Sequence, residues 1–498
     1  MQLKKISTIL ALSIFISTMG FAGNDCDAPY KRNIVHFADE HNPDNRLITL
    51  DSRKMKLLNT VEVEGSLNHH SDTMGTIKTA KYMMMVPKGS TFVTVRDIKS
   101  GNFVKKIELP FRPRSADAYN KTHNLVLLNS RDRPAAVLID ASSLKIVGKA
   151  GFNIQCSQPN ILPSYDGIYA PEDIPNLMCS TSDFGGDQIS GHPIWISSRS
   201  FVLLDRSNRL LHVYSIKKYG DNWNTKLVQT IKTDTALHQL IPRSSSYYNR
   251  IFYGMTESNP AQGKIAGLYK FIRIGSRLHM LKFTKLAKGS TKGINGHNLY
   301  ITPDKKYLYA PAGATLRDGE TEKGGIFVVG AYSMRVKKFV ETGFGAGHVN
   351  FSKKYRMAMV TNHKAKYVTA INYKRHNFLK NIPLDFKSEN IFSLYQSHAP
   401  YIEPTGNYFY NFWTDGGVFF RINLANLTLD KSVYTGGVPI QGNYYPRVNT
   451  SCGESNPISI TPDNFSTLFS NIFNHILGDT RSLFDRVENT KDSNGYDK

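Results

Sequence analysis

Acidic residues, cysteine and tryptophan are all scarce in this 498-residue chain: 40 Asp and Glu stand against 62 Lys and Arg, with 4 cysteines and 3 tryptophans. Each shortage excludes something. The acid deficit leaves a formal charge of +22, but the basic residues are dispersed, with no dense Lys/Arg run. The pattern is that of a solvated basic surface, and a small anion or an acidic protein is the expected partner, with no nucleic acid. The cysteines show neither CxxC spacing nor a CxxCH sequence, which excludes that kind of thiol-redox or metal motif and covalent haem attachment. Beyond the first residues no apolar run is long enough to cross a membrane as a helix, so no anchor is expected after processing.

The one apolar run lies at the start. Lys4 and Lys5 precede Ile6 to Ile16, and Gly20 and Ala22 supply small residues before a cleavage point. Residues 1–22 therefore read as a secretory signal peptide, and the protein is expected to be periplasmic or secreted. In an exported chain, Cys26, Cys156, Cys179 and Cys452 suggest two disulfides. Cys156 with Cys179 and Cys26 with Cys452 is the preferred pairing, although four cysteines allow three connectivities and the spacing does not choose among them.

What the chain has in quantity is aromatic and β-branched residues broken at short intervals by glycine and proline, the mixture of an all-β protein. The unit from Leu67 to Pro110 holds four short strand patterns: Asn68-His-His-Ser-Asp-Thr, Lys81-Tyr-Met-Met-Met-Val, Phe92-Val-Thr-Val-Arg-Asp and Phe103-Val-Lys-Lys-Ile-Glu. Similar units open at Arg114, Gly191-His192, His238, His297, His348 and His398. A repeat of roughly 40–50 residues signals a β-propeller. Val438-Pro-Ile-Gln-Gly-Asn-Tyr reads as one more inner strand, whose outer strands come from Asn33–Ala38, Arg46–Asp51 and Leu57–Val63. Pairing the two chain ends in one sheet closes the ring and removes its free edges. Seven full units and one composite unit imply seven or eight blades, with eight favoured. The expected layout is a propeller over 23–460 with an inserted loop at 151–190, a helical segment at 461–487 and a disordered tail at 488–498.

Histidine recurs where these units begin. The first strand of each blade lines the central channel, and all such strands run the same way, so residues that open them meet near one mouth. His69 or His70, His192, His297, His348 and His398 occupy that position, with His238 as a sixth. Several neutral imidazoles brought together suit a transition metal, and the affinity order favours copper. Asp72 and Asp187 are candidates to ligate, to orient an imidazole or to move a proton. Arg114 is a candidate to hold an anion near the ring. His36, His41, His123, His212, His279, His363, His376 and His475 fall elsewhere in their units and read as ordinary histidines, His363 being the least clear of them.

Asn68-His-His-Ser-Asp-Thr-Met-Gly and Gly296-His-Asn-Leu-Tyr-Ile-Thr-Pro-Asp resemble the histidine-bearing strands of the propeller domain of nitrous oxide reductases, and Gly347-His348 and His398 fall where later cluster ligands would. Tyr367-Val-Thr-Ala-Ile-Asn is similar to YVTN-type propeller repeats. The resemblance implies histidine-held copper in the channel. It departs at Arg114, where a further histidine would stand, and the cupredoxin domain of those reductases has no counterpart in this sequence. The periplasmic thiocyanate dehydrogenases, single propellers with channel histidines around copper, are the more similar family. The function so implied is a multicopper oxidoreductase acting on a small inorganic anion and passing electrons to a soluble carrier such as a cytochrome. The competing expectations are a non-catalytic propeller that binds a protein, peptide or sugar, and a copper-storage or delivery protein.

Overall fold

The computed structural model describes residues 34–39, 45–64, 67–74, 81–87, 90–152, 190–244, 249–256, 266–286, 298–312, 324–387 and 395–445, with the backbone alone for 67–74. The expected signal segment, the four cysteines, most of the 151–190 insertion, the 461–487 segment and the tail lie outside these residues. Residues 1–453 form one compact unit.

The first three strands, β1 (Ile34–Asp39), β2 (Arg46–Asp51) and β3 (Lys56–Glu62), make an incomplete sheet that the last strand, β32 (Pro439–Tyr445), completes by pairing with β1. Between them lie seven further four-stranded antiparallel sheets: β4–β7 (67–108), β8–β11 (113–150), β12–β15 (194–232), β16–β19 (237–285), β20–β23 (300–341), β24–β27 (346–383) and β28–β31 (401–434). We number these blades 1 to 7 and the composite one blade 8. The protein is an eight-bladed β-propeller closed by its two ends.

The burial pattern explains why each sheet has four strands of unequal character. Middle strands are covered on both faces by neighbouring blades, so they are mostly apolar: β9 (Leu125–Ser130) is buried along its whole length. Fourth strands face solvent, and β3 is exposed almost throughout. Side chains from each pair of adjacent blades interdigitate in a core of their own. Eight such clusters follow one another round the ring, from Val93, Val126 and Val137 between blades 1 and 2 to Leu47, Met83 and Met85 between blades 8 and 1. One core per interface, the last included, is the packing signature of a closed ring.

Closure has a polar lock as well. Asp39, fully buried at the end of β1, takes Nε and Nη2 of Arg46 at 3.0 and 2.5 Å and accepts a hydrogen bond from the Val438 N–H just before β32. Gly437 must be glycine here. Its φ is +72°, and a Cβ would lie 2.0 Å from an Asp39 carboxylate oxygen.

Several inner strands break register near their start. In β8 (Pro113–Asn120) the partner register skips Arg114, and in β16 (Leu237–Pro242) it skips His238. In β24 (Ala346–Ser352) it skips Gly347, and in β4 (Leu67–Met74) it skips Asn68 and His69. A bulge at this point re-aims the side chain that follows it.

Candidate metal centre

The bulges decide which histidines meet. In blade 6, skipping Gly347 sets His348 opposite Thr361 of β25 (Met357–Asn362). Because β25 runs antiparallel to β24, its end returns to the mouth where β24 starts. The next residue, His363, therefore comes to lie beside His348, with ring centroids 5.2 Å apart. His398 arrives from blade 7, in the segment leading to β28 (Tyr401–Ile402). Its ring is 4.3 Å from that of His363 and 5.4 Å from that of His348. One ligand nitrogen from each of the three lies within 4.8 Å of the others. A triangle no wider than that puts its centre within about 2.8 Å of every corner, roughly 0.7 Å beyond a zinc–nitrogen bond.

His363 is the centrepiece and the most constrained. Its Nδ1 lies 2.8 Å from the carbonyl oxygen of Gln396, which can only accept, so Nδ1 carries the proton and Nε2 keeps its lone pair. That Nε2 is buried and has no hydrogen-bond partner. Burial pushes the His363 imidazole down to about 4, so the ring is neutral near pH 7. Gly347 gives it room: a Cβ there would sit 2.3 Å from Nε2. A buried lone pair without a donor is costly in a folded protein unless something occupies it. A soft, nitrogen-preferring cation fits this donor set.

His348 is held from blade 5. Tyr300 Oη lies 2.9 Å from its Nδ1, and Asn298 Nδ2 lies 3.3 Å from the same atom. Burial raises the Tyr300 phenol well above its ordinary value, so it stays protonated. For His348 to ligate through Nε2, its Nδ1–H donates to the Tyr300 hydroxyl oxygen, which is the usual outer arrangement of a metal-binding imidazole.

Of the residues expected to converge, the structure brings His348 and His398 into one group. His192 and His238 make a separate pair, with ring centroids 5.3 Å apart and the His192 N–H donating to the His238 carbonyl. His69 and His70 lie on β4, whose side chains are outside the described residues, as are His297 and Asp187 altogether. Arg114 is buried at the bulge of β8. The reading of His363 as ordinary needs correction. Its position does not stand out by spacing because it follows a second strand instead of opening a first one. The hairpin geometry of every blade brings that position to the same mouth, and this was the signal available. Other histidines are structural. His36 bridges Thr49 and the Ile98 carbonyl, His212 lies 3.6 Å from Asp205, and His376 meets the Tyr309 hydroxyl.

Comparison with known proteins agrees with the class. No family model matches the chain, and no curated protein matches it in sequence. Among solved structures it is similar to dihydro-heme d1 dehydrogenase NirN in complex with DHE, with a TM-score of 0.58 at 13% identity over 84% of this chain and 76% of that one. It is also similar to apo AztD from Citrobacter koseri, with a TM-score of 0.52 at 10% identity, covering 84% of this chain and 98% of that one. The Dos1 propeller gives a TM-score of 0.50 at 11% identity, covering 75% and 88%. At these identities the likeness is one of fold: the β-propeller.

Proposed function

We propose that this is an exported, metal-binding propeller in which His348, His363 and His398 hold a transition-metal ion, with copper preferred by the affinity order of nitrogen ligands. The observation that carries the reading is the buried, hydrogen-bond-free Nε2 of His363 within 4.8 Å of ligand nitrogens on His348 and His398. Export rests on the signal-like residues 1–22. Three protein nitrogens leave a coordination position open, the arrangement of sites that bind a further small molecule.

The finer reading is an oxidoreductase of thiocyanate dehydrogenase type. It draws on the resemblance of the histidine-bearing strands and on the basic charge of +22, which attracts a small inorganic anion. Copper bound here would supply Lewis acidity and one-electron chemistry. The chain's own part is to hold three neutral imidazoles in place, to keep the Nδ1 proton of His363 on the Gln396 carbonyl, and to steady His348 through Tyr300. Electrons would leave to a soluble carrier such as a cytochrome.

Metal analysis of protein exported from copper-supplemented cells tests the reading. At least one copper per chain is expected. His348→Ala and His363→Ala should each abolish it, while His279→Ala on the exposed outer strand β19 (Arg277–Lys285) should leave it unchanged. Protein that carries no copper, and whose melting temperature does not rise with added Cu(II) or Zn(II), would overturn it. A site loaded at a hundred times its Kd stabilises by about 2.7 kcal/mol. Turnover of thiocyanate or another small anion by the loaded protein separates an enzyme from a carrier.

A further inference from the structure

We infer that Gln396 is the positioning residue of this site: its main chain fixes the proton of His363 and its side chain fixes where His363 stands. The inference rests on the metal reading for its consequence, not for its geometry. Gln396 has no solvent exposure and lies two residues before His398, in the stretch that leads into blade 7.

Its carbonyl oxygen accepts from His363 Nδ1 at 2.8 Å. Its side-chain Nε2 donates into the loop that carries His363, lying 2.9 Å from the Asn362 carbonyl and 2.8 Å from those of Ala365 and Tyr367. Those three carbonyls turn inward because the loop closes tightly between β25 and β26 (Tyr367–Asn372). In a site without solvent they need donors: the Asn362 carbonyl also takes the Ala365 N–H at 3.1 Å and the Tyr367 carbonyl the Asn362 Nδ2 at 3.2 Å, and the Gln396 amide adds to both and serves the Ala365 carbonyl. The segment is tied on its other side too. Tyr395 N–H donates to the His363 carbonyl at 2.7 Å, and Ser397 N–H donates to the Phe412 carbonyl at 3.1 Å. His363 and His398 sit on different blades, and the side chain of Gln396, with the neighbouring Tyr395 N–H, sets their separation. Without the amide the His363 loop keeps only the Tyr395 tie, Nδ1 can draw away from the Gln396 carbonyl, the imidazole can then take either tautomer, and the three nitrogens no longer converge.

The consequence is preorganisation. Ligand loss is not involved, since Gln396 offers no atom to the ion. Removal of groups that orient metal-binding histidines lowers affinity by about 10–100-fold. Gln396→Met keeps length and volume while deleting the donor, and Gln396→Glu keeps the shape while facing three carbonyls with a carboxylate. Two readouts apply. In the metal-free protein, 15N-histidine spectra report the His363 tautomer, and Cu(II) titration followed by electron paramagnetic resonance reports affinity and the number of nitrogen ligands.

The expected result is a single Nδ1-protonated His363 in the wild type, a mixture of tautomers in Gln396→Met, and Cu(II) binding weakened about 10–100-fold with an altered nitrogen pattern. A variant that keeps the wild-type tautomer, affinity and spectrum overturns the inference. Should both variants fail to fold, the wild-type spectrum decides, because an Nε2-protonated His363 overturns it alone. A wild type that binds no copper, while Gln396→Met still scrambles the tautomer, upholds the positioning role and removes the metal reading.

Discussion

Gly347 shows how closely a single residue controls the site. Its φ is outside the left-handed region, so alanine is conformationally acceptable there, but a methyl group would stand 2.3 Å from Nε2 and 2.5 Å from Cδ2 of His363. Gly347→Ala should therefore push the imidazole out of the trio while leaving the blade folded. Copper content measured beside a thermal melt should show metal lost and stability changed by no more than about 1 kcal/mol. His348 and His398 were legible in the sequence because they open inner strands, and a period of about fifty residues marks such positions. His363 was legible only through the hairpin geometry of its blade, since nothing in Thr361-Asn-His-Lys itself distinguishes a loop histidine at the surface from one folded back onto the channel. Its partner Gln396 was illegible for the same reason. A buried amide that serves three carbonyls has no local pattern, only a three-dimensional one.

Among the blade elements, the inner hairpins and the outer turns follow different rules. Four inner strands, β4, β8, β16 and β24, bulge at their starts, and the bulge separates Arg114 and His238, which are themselves skipped, from His348 and His70, which come just after the skip. A slip of one residue moves a side chain to the other face of a sheet. Histidines that look equivalent by spacing thus differ in register, and among the described ones His192 and His238 pair with each other while His348 and His398 meet at His363. Outer turns were readable only in part. Gly101 marks one, but Met55, Leu144, Met334 and Leu427 hold the same left-handed conformation, with φ of 53–54°. Leu144 and Met334 are buried in the cores between blades, so a conformational strain of ~1 kcal/mol is offset by apolar burial. Met334→Gly relieves the strain and deletes the side chain. Since loss of a buried methionine costs about 2–5 kcal/mol, denaturant unfolding should show net destabilisation of roughly 1–4 kcal/mol, not a gain.

At the scale of the whole molecule, the ring was the most legible feature, because eight repeats of strand and turn leave few architectures that bury both faces of every sheet. Its point of closure was less so. Among the described residues, Ala38, Leu47, Met83, Met85 and Ile98 form the buried apolar core between blades 8 and 1. Polar contacts supplement this seam: His36 Nε2 donates to the Ile98 carbonyl at 2.7 Å across it, and Lys106 reaches Glu64. Burial pushes His36 down to about 4. In the unfolded chain the ring titrates near its ordinary value of about 6.5. A depressed folded-state value means that the contribution is complete above about pH 6.5 and is lost as pH falls towards 4, because only the unfolded chain takes up the proton in that interval. The loss amounts to about 3 kcal/mol. Unfolding free energies measured from pH 7 to pH 4 should fall more steeply for the wild type than for His36→Leu, whose seam is weaker at neutral pH but no longer responds to acid through this group. Parallel slopes for the two proteins would mean that His36 is protonated without cost, and that acid weakens the ring somewhere other than its point of closure.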